Sequence, residues 1–172
     1  MTIDTADFIR VQRQLDGQVL VATLPRLTED LPQQASQGET SLVHWSLQGH
    51  TAPRGEQMLT LRVQAAPLLE CQRCLGLFNY PVDIETVLEV VKSEKDLDHD
   101  VDSTGEIDQD ANEKILASSH LDVLELVEDE LILSLPYVPK HEICPEQAAL
   151  PEDNLEKKPS PFAVLEKLKS KP

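Results

Sequence analysis

The sequence is poor in aromatic residues, with one tryptophan, two tyrosines and three phenylalanines in 172 residues. Leucine and valine must therefore supply most of the packing, and we expect part of the chain to stay outside the core. Glycine is also scarce, with six residues against twelve prolines. Because proline restricts the backbone, this balance favours extended connections over tight hairpins. The length still suffices for one domain with a core of its own.

The sequence contains only three cysteines, and it has no apolar run long enough to span a membrane. A small, odd number of cysteines fits a reducing cytosol better than a disulfide scaffold. The first residues, Met1–Asp7, carry early acids rather than an apolar run, so we expect no secretory signal peptide. The predicted location is the cytoplasm, with no membrane partner.

Motifs of catalysis are missing as well. The sequence has no nucleophile elbow, no phosphate-binding glycine loop and no His-Glu-x-x-His pair. His44, His50, His99 and His120 have no convincing catalytic partner in the sequence. We therefore predict a protein that is not an enzyme and takes no small-molecule substrate.

Positive charge is scarce: the sequence has 15 lysines and arginines but 31 aspartates and glutamates, and its formal net charge is −16. Such an excess opposes nonspecific attraction to nucleic acid, since that binding relies on cations that displace counterions from phosphates. It suits basic partners instead. The acids concentrate between Glu94 and Glu113, a stretch that contains nine carboxylates and only one lysine. We interpret 93–113 as a mobile, solvated acidic loop.

Alternating apolar residues predict a sheet. Such alternation marks three strands, at 41–49, 58–66 and 81–91. Because short turns join them, we predict an antiparallel sheet, either a meander or a partly closed barrel. Shorter strands are predicted at 18–24, 68–70, 77–80 and 114–117, and a helical turn at Pro25.

Two helices are predicted within this α+β fold. Residues 5–16 form a short amphipathic pattern, and a longer one covers about 120–135. For the longer helix we predict Ser119 as the N-cap, with Pro136 ending it. Leu131 lies on its apolar stripe, which we expect to face the core.

The domain organisation follows from these patterns. Residues 1–140 are predicted to form a single α+β domain, with the acidic loop 93–113 inside it. Residues 141–172 are predicted to form a flexible tail that contains prolines and lysines and ends in a short amphipathic helix at 161–170. Phe162 and Leu165 lie on the apolar side of that helix. It either docks on a partner or packs back on its own domain.

The cysteines predict a metal site. Cys71 and Cys74 are three residues apart, and two thiols at this spacing can bind one tetrahedral ion. Cys144 and His141 supply a third and a fourth ligand, which gives a zinc site. Arg73, between the first two cysteines, would favour deprotonated thiolates. The alternatives are three reduced thiols without metal, or a redox pair, which lacks the strand–helix context that thiol exchange uses.

Charged residues outside the loop define two candidate partner-binding regions. Glu125 and Glu128 lie on the predicted helix, where they form either an acidic contact face or merely the solvated side of a core helix. Arg73 is a candidate contact for RNA phosphates, against a repulsive background. Protein contact and RNA contact therefore both remain open.

Three segments resemble the YceD family, in order and in spacing. They are Leu69–Cys74, Leu126–Pro136 and Pro161–Leu165. The family is named for accumulation of the large ribosomal RNA subunit. The resemblance extends from about residue 40 to the end of the sequence, and the first forty residues are less distinctive.

The resemblance implies a bacterial cytoplasmic factor that supports accumulation of 23S ribosomal RNA. Its expected partners are precursor 23S RNA or basic large-subunit ribosomal proteins, contacted by binding rather than catalysis. Many relatives carry a second cysteine pair where this sequence has only His141 and Cys144, although histidine can replace a thiolate. The alternatives are a zinc-dependent RNA-processing enzyme and a general acidic chaperone for basic proteins.

Overall fold

A computed structural model describes residues 1–97 and 112–144. The predicted acidic loop therefore lies mostly outside the described residues, as do the predicted helix at 161–170 and its Phe162 and Leu165. The chain divides into two units, Met1–His141 and Glu142–Pro172. Of the second unit, the structure describes only Glu142–Cys144.

The described residues form a mixed α+β fold, as predicted. In chain order the elements are β1 (Thr2–Ile3), α1 (Thr5–Arg10), β2 (Gln14–Leu20), α2 (Pro25–Thr28), β3 (Leu42–Thr51), β4 (Gln57–Ala65), β5 (Leu68–Glu70), β6 (Leu77–Asn79), β7 (Val82–Val91), β8 (Glu113–Leu116), β9 (Leu121–Asp122) and α3 (Val123–Ser134). Short 3₁₀ turns occur at Val21–Thr23, Glu39–Ser41 and Glu94–Asp96.

Five strands of the described part form one open sheet, in the order β2-β3-β4-β7-β8. The first three pairings are antiparallel, with Trp45 opposite Gly17 and Val63. The predicted meander is thus confirmed, and the alternative of a partly closed barrel is wrong because β2 and β8 are edges. The last pairing is parallel, with Val90 beside Ile115. Neighbouring strands in the sequence suggested antiparallel pairing throughout, but the long connection after β7 permits the opposite direction.

The core lies on one face of the sheet. Strand alternation places Val43, Leu47, Leu61 and Val63 there, each with no exposed surface. Helices α1 and α3 cover this face and bury Ile9, Val123, Val127 and Leu131 completely. Gly49 lets α1 lie close against β3, because a Cβ at this position would be 2.9 Å from Cα of Ile9. No helix of the described residues is long and apolar enough to cross a membrane.

The first helix is shorter than the predicted 5–16. It begins after Asp4, whose side chain accepts a hydrogen bond from the amide of Asp7, and it ends at Arg10. Gln12 then adopts a φ of +50°, a left-handed conformation that stops helix propagation. The strand that follows begins at Gln14, earlier than the predicted Gln18, because Leu15 pairs with Leu47.

The third helix begins later than predicted, at Val123 rather than at about residue 120. Leu121 and Asp122 form a strand with β1, and the Asp122 carboxylate accepts hydrogen bonds from the amides of Leu124 and Glu125. Asp122, rather than Ser119, is therefore the N-cap. The same carboxylate pairs with the amino group of Met1 at 3.0 Å, and this interaction lowers the pKa of Asp122.

Candidate metal centre

The loop between β5 and β6 folds back on itself around the two cysteines. The Cys71 amide donates to the Gly76 carbonyl at 2.9 Å, and the Leu75 amide donates to the Cys71 carbonyl at 2.8 Å. To close this turn, Leu75 adopts a φ of +59°. A bulky side chain in this conformation costs about 1 kcal/mol or more, so the surrounding hydrogen bonds must hold it.

A second segment, which follows α3, lies against this loop. The Gln72 amide donates to the Pro139 carbonyl at 2.9 Å, and the Arg73 guanidinium donates to the His141 carbonyl at 3.1 Å. The His141 ring packs on the Phe78 ring, with centroids 4.6 Å apart. These contacts fix the imidazole beside the thiols, although some seventy residues separate them in the sequence.

The four predicted ligands come together. One ligand atom from each of Cys71, Cys74, His141 and Cys144 lies within 4.8 Å of all the others. The Cys74 sulfur is 3.3 Å from Nδ1 of His141. With bonds of about 2.3 Å to sulfur and 2.0 Å to nitrogen, two ligand atoms on a tetrahedral zinc are separated by roughly 3.5–3.8 Å. Three sulfurs and one imidazole at these separations fit a zinc ion.

The Cys71 thiol is arranged to be a thiolate. Its burial raises the pKa, but hydrogen bonds from the backbone of His141, Cys74 and Arg73 and from the His141 side chain outweigh this effect. The pKa falls to about 5. The contribution of Arg73 comes from its backbone amide, whereas the sequence suggested its side-chain charge. A thiolate is the form that binds metal.

The lowered pKa of Cys71 predicts a pH dependence for the metal-free protein. The pKa drops from 9.0 to about 5 on folding, so the folded state favours the deprotonated thiol. This contribution to stability is complete above about pH 9 and is lost as the pH falls through about 5. The measurement is the free energy of unfolding against pH, in chelator, for the wild type and Cys71→Ser. Their difference should shrink towards low pH, and a constant difference would contradict the assignment.

Sequence reasoning predicted the four residues that the structure brings together, but it missed the residues that hold them in place. Gly76 lies against two of the four, because a Cβ there would be in van der Waals contact with the Cys74 sulfur at 3.4 Å and with the His141 ring at 3.5 Å. Phe78 and Pro139 position His141 and Gln72 by packing and by a backbone hydrogen bond. The Pro139 carbonyl left no signal in the sequence.

The two candidate glutamates of α3 have different environments. Glu125 is exposed, as expected for a solvated face. Glu128 is buried, with 4% of its surface exposed, and its carboxylate accepts hydrogen bonds from the amides of Arg26 and Leu27 at 2.7 and 3.0 Å. The Glu128 carboxylate, which belongs to α3, therefore caps the first turn of α2. The interpretation of Glu128 as a surface contact is wrong.

Replacing Glu128 with alanine is expected to destabilise the fold by about 3 kcal/mol. The change removes a charged acceptor, and the amides of Arg26 and Leu27 then lose the carboxylate to which they donate hydrogen bonds. Glu125→Ala on the same helix is the matched control, with an expected effect within about 0.5 kcal/mol. Chemical denaturation of both variants measures the difference. Equal unfolding midpoints would show that the Glu128 carboxylate contributes nothing.

Comparison with known proteins points to one family. The family model described as large ribosomal RNA subunit accumulation protein YceD matches residues 59–169. A relative of the same name from Haemophilus influenzae is 34% identical, over 97% of this chain and 95% of its own length. No solved structure matches the chain. The family model covers more than half of the chain, including the cysteine loop, α3 and all four candidate ligands, so the chain belongs to the YceD family.

Proposed function

We propose that this chain is a cytoplasmic ribosome biogenesis factor that supports accumulation of 23S ribosomal RNA by binding a component of the immature large subunit. Membership of a family named for large ribosomal RNA subunit accumulation carries this proposal. In support, four residues that could together hold one metal ion lie close to one another, and the core of the sheet is packed by the chain's own helices. Such an arrangement supports a binding role.

Zinc has a structural role in this proposal. Structural zinc sites use four protein ligands, whereas catalytic sites keep one position for water or substrate. Cys71, Cys74, His141 and Cys144 would together leave no such position. A zinc-dependent RNA-processing enzyme is the alternative, and it predicts RNA cleavage that disappears in His141→Gln. Purified wild-type protein that leaves precursor RNA intact, with zinc bound, supports the structural role.

Protein contact remains one route for binding. The net charge of −16 favours basic partners, and Glu125 lies exposed on α3, where a cationic protein can reach it. A general acidic chaperone would bind any polycation through the same charge. Affinity for polylysine that equals affinity for large-subunit proteins would favour that alternative.

The decisive experiment is recovery of the tagged chain from cells at low salt. We expect precursor large-subunit RNA or large-subunit proteins to be recovered with it. Parallel samples treated with nuclease separate the two routes, because only RNA contact is lost on digestion. Glu125→Lys serves as a matched variant whose fold should be unchanged. Recovery of neither RNA nor large-subunit proteins with the wild type would contradict the proposal.

A further inference from the structure

The two edges of the main sheet differ in character. The edge strand β8 is short and charged, with Glu113 and Lys114 among its four residues. Short length and charge both keep other strands from pairing at an edge. The opposite edge strand, β2, has seven residues without proline or lysine, and its register with β3 runs from Gln14 to Leu20 without a bulge. By these criteria β2 is an edge to which a further strand can pair.

The backbone of β2 presents alternate residues to this open edge. The Gly49 amide donates to the Arg13 carbonyl at 2.9 Å, so every second residue of β2 after Arg13 directs its backbone groups towards β3. Gln14, Asp16 and Gln18 therefore direct theirs outward. In the described part of the chain, β2 pairs only with β3, and no hydrogen bond satisfies these outward amides and carbonyls.

The side chains of β2 are arranged symmetrically about Gly17. Leu15 and Val19, two residues to either side, are half-buried and pack against the core on the face that the helices cover. Asp16 and Gln18, one residue to either side, are exposed on the other face. Such a strand matches a second copy of itself that runs antiparallel with glycine opposite glycine. Each leucine then lies opposite a valine, and each aspartate lies opposite a glutamine.

Trp45 lies at the centre of the same edge. It is paired with Gly17, and a Cβ on this glycine would lie 2.7 Å from the indole ring and 3.3 Å from its Nε1. Nε1 is buried, and no described residue accepts a hydrogen bond from it. Buried donors in native proteins are nearly always paired. The indole therefore points to a neighbour at this edge that the described residues do not supply.

We propose that two copies of this chain associate through β2, which pairs antiparallel with β2 of the second copy about Gly17. The two five-stranded sheets become one, and Asp16 exchanges backbone hydrogen bonds with Gln18 of the second copy. The symmetry of the strand favours a second copy over an unrelated strand, because a two-fold interface uses the same patch on both subunits. This inference goes beyond the proposed function, which requires no dimer.

The net charge opposes this dimer mainly from a distance. Asp16 is the one charged residue of β2, and the exposed Arg13 directly precedes the strand. The charge of −16 thus comes almost entirely from other parts of the chain, and it makes two copies repel each other. Because salt screens exposed charges, the dimer should strengthen between about 50 and 500 mM salt. Association with a basic protein would weaken over the same range.

The test is sedimentation velocity of the full chain, purified without chelator, at about 1 to 200 μM protein in about 150 mM salt. Two seven-residue strands bury less than the roughly 1,200 Å² of the smallest standard interfaces, so we expect a weak dimer. It should be half-formed at a concentration on the order of 10–100 μM.

Hydrogen exchange at the two ends of the concentration range locates the contact. The outward amides of Asp16 and Gln18 should gain protection as the concentration rises. The amides of Leu15 and Val19, which face β3, should stay equally protected throughout. If Asp16 and Gln18 were protected at every concentration, a single chain would cover its own edge and the inference would be wrong.

Variants at Gln18 test the register. Gln18→Glu places a like charge opposite Asp16 of the second copy and should weaken the dimer, whereas Gln18→Lys places an opposite charge there and should strengthen it. Two such pairs form in each dimer, so each change should alter the dissociation constant about 2- to 30-fold. Gln48→Glu and Gln48→Lys are matched controls for net charge, because Gln48 is exposed on β3, one strand in from the edge. They should alter the dissociation constant less than about two-fold.

Gln18→Pro blocks the edge itself. The amide at this position points outward, so proline removes no hydrogen bond to β3 and the melting temperature of the dilute protein should be unchanged. The dimer should be lost up to about 200 μM. If the proline variant unfolds, the two charged variants at Gln18 decide the matter. A wild type that sediments as a monomer at every concentration would overturn the inference, as would a dimer that Gln18→Glu and Gln18→Lys both leave unchanged.

Discussion

Replacing Cys71 with serine is expected to reduce bound zinc from about one equivalent to less than a tenth. The serine hydroxyl is a poor zinc ligand, and the buried Cys71 thiolate is held by hydrogen bonds from three residues. Structural zinc contributes about 10–16 kcal/mol of binding free energy in small peptides. Here β5 and β6 have three residues each, and so short a hairpin is marginal on its own. We therefore expect local unfolding of the cysteine loop, with the main sheet preserved.

Metal analysis and hydrogen exchange check the prediction for Cys71. The amides of Cys71 and Leu75, which are hydrogen-bonded within the loop, should lose protection, while those of β3 and β4 should keep it. His141→Gln should behave like Cys71→Ser, and His44→Gln is its control, because His44 lies on β3 and is not a ligand. Full zinc content in Cys71→Ser would contradict the assignment of this ligand.

Replacing Leu131 with aspartate is expected to unfold the first unit. Leu131 has no exposed surface and packs in the core beneath α3. The change removes a buried leucine, worth about 2–5 kcal/mol on truncation, and adds a carboxylate whose burial costs several more. Domains of this size are stable by only about 5–15 kcal/mol. The loss is therefore comparable to the whole stability of the fold.

Circular dichroism during thermal unfolding measures the effect at Leu131. Leu133→Asp is a matched control two residues later on the same helix, where the leucine is 74% exposed. It should change the free energy of unfolding by no more than about 0.5 kcal/mol. Similar melting curves for the two variants would mean that α3 does not pack through Leu131.

The main strands could be predicted because each has one buried face. Val43, Trp45 and Leu47 alternate with polar residues in the sequence, and the structure buries all three. The direction of β8 could not be predicted in this way, because alternation is the same for a parallel and an antiparallel strand. Its pairing with Val90 and Val91 depends on the route of the connection between them.

The limits of helix prediction have a similar cause. Leu15 continues the apolar spacing of α1, but pairing with Leu47 makes it part of β2. Tertiary contact overrides the local pattern there. Glu128 was assigned to the surface because buried acids are rare. Its hydrogen-bond partner Arg26 lies 102 residues earlier, and no local pattern indicates such a contact.

The cluster of candidate metal ligands could be predicted because few residue types bind zinc. Cys-x-x-Cys restricts two candidate ligands to one turn. Cys144 is the one remaining cysteine, and His141 is the histidine nearest to it in the sequence. The hydrogen bonds that lower the pKa of Cys71 come mainly from backbone amides. Every residue but proline has such an amide, so the sequence does not mark the ones that act.

The pairing of β1 with β9 has a consequence for biosynthesis. Thr2 lies opposite Asp122, and the Thr5 amide donates to the carbonyl of Ser118. Translation proceeds at about 5–20 residues per second, so the amino terminus waits on the order of ten seconds for its partner strand to be made. Until then the nascent chain exposes the surface that α3 later covers. Chaperones and proteases that act on emerging polypeptides have that interval in which to engage it.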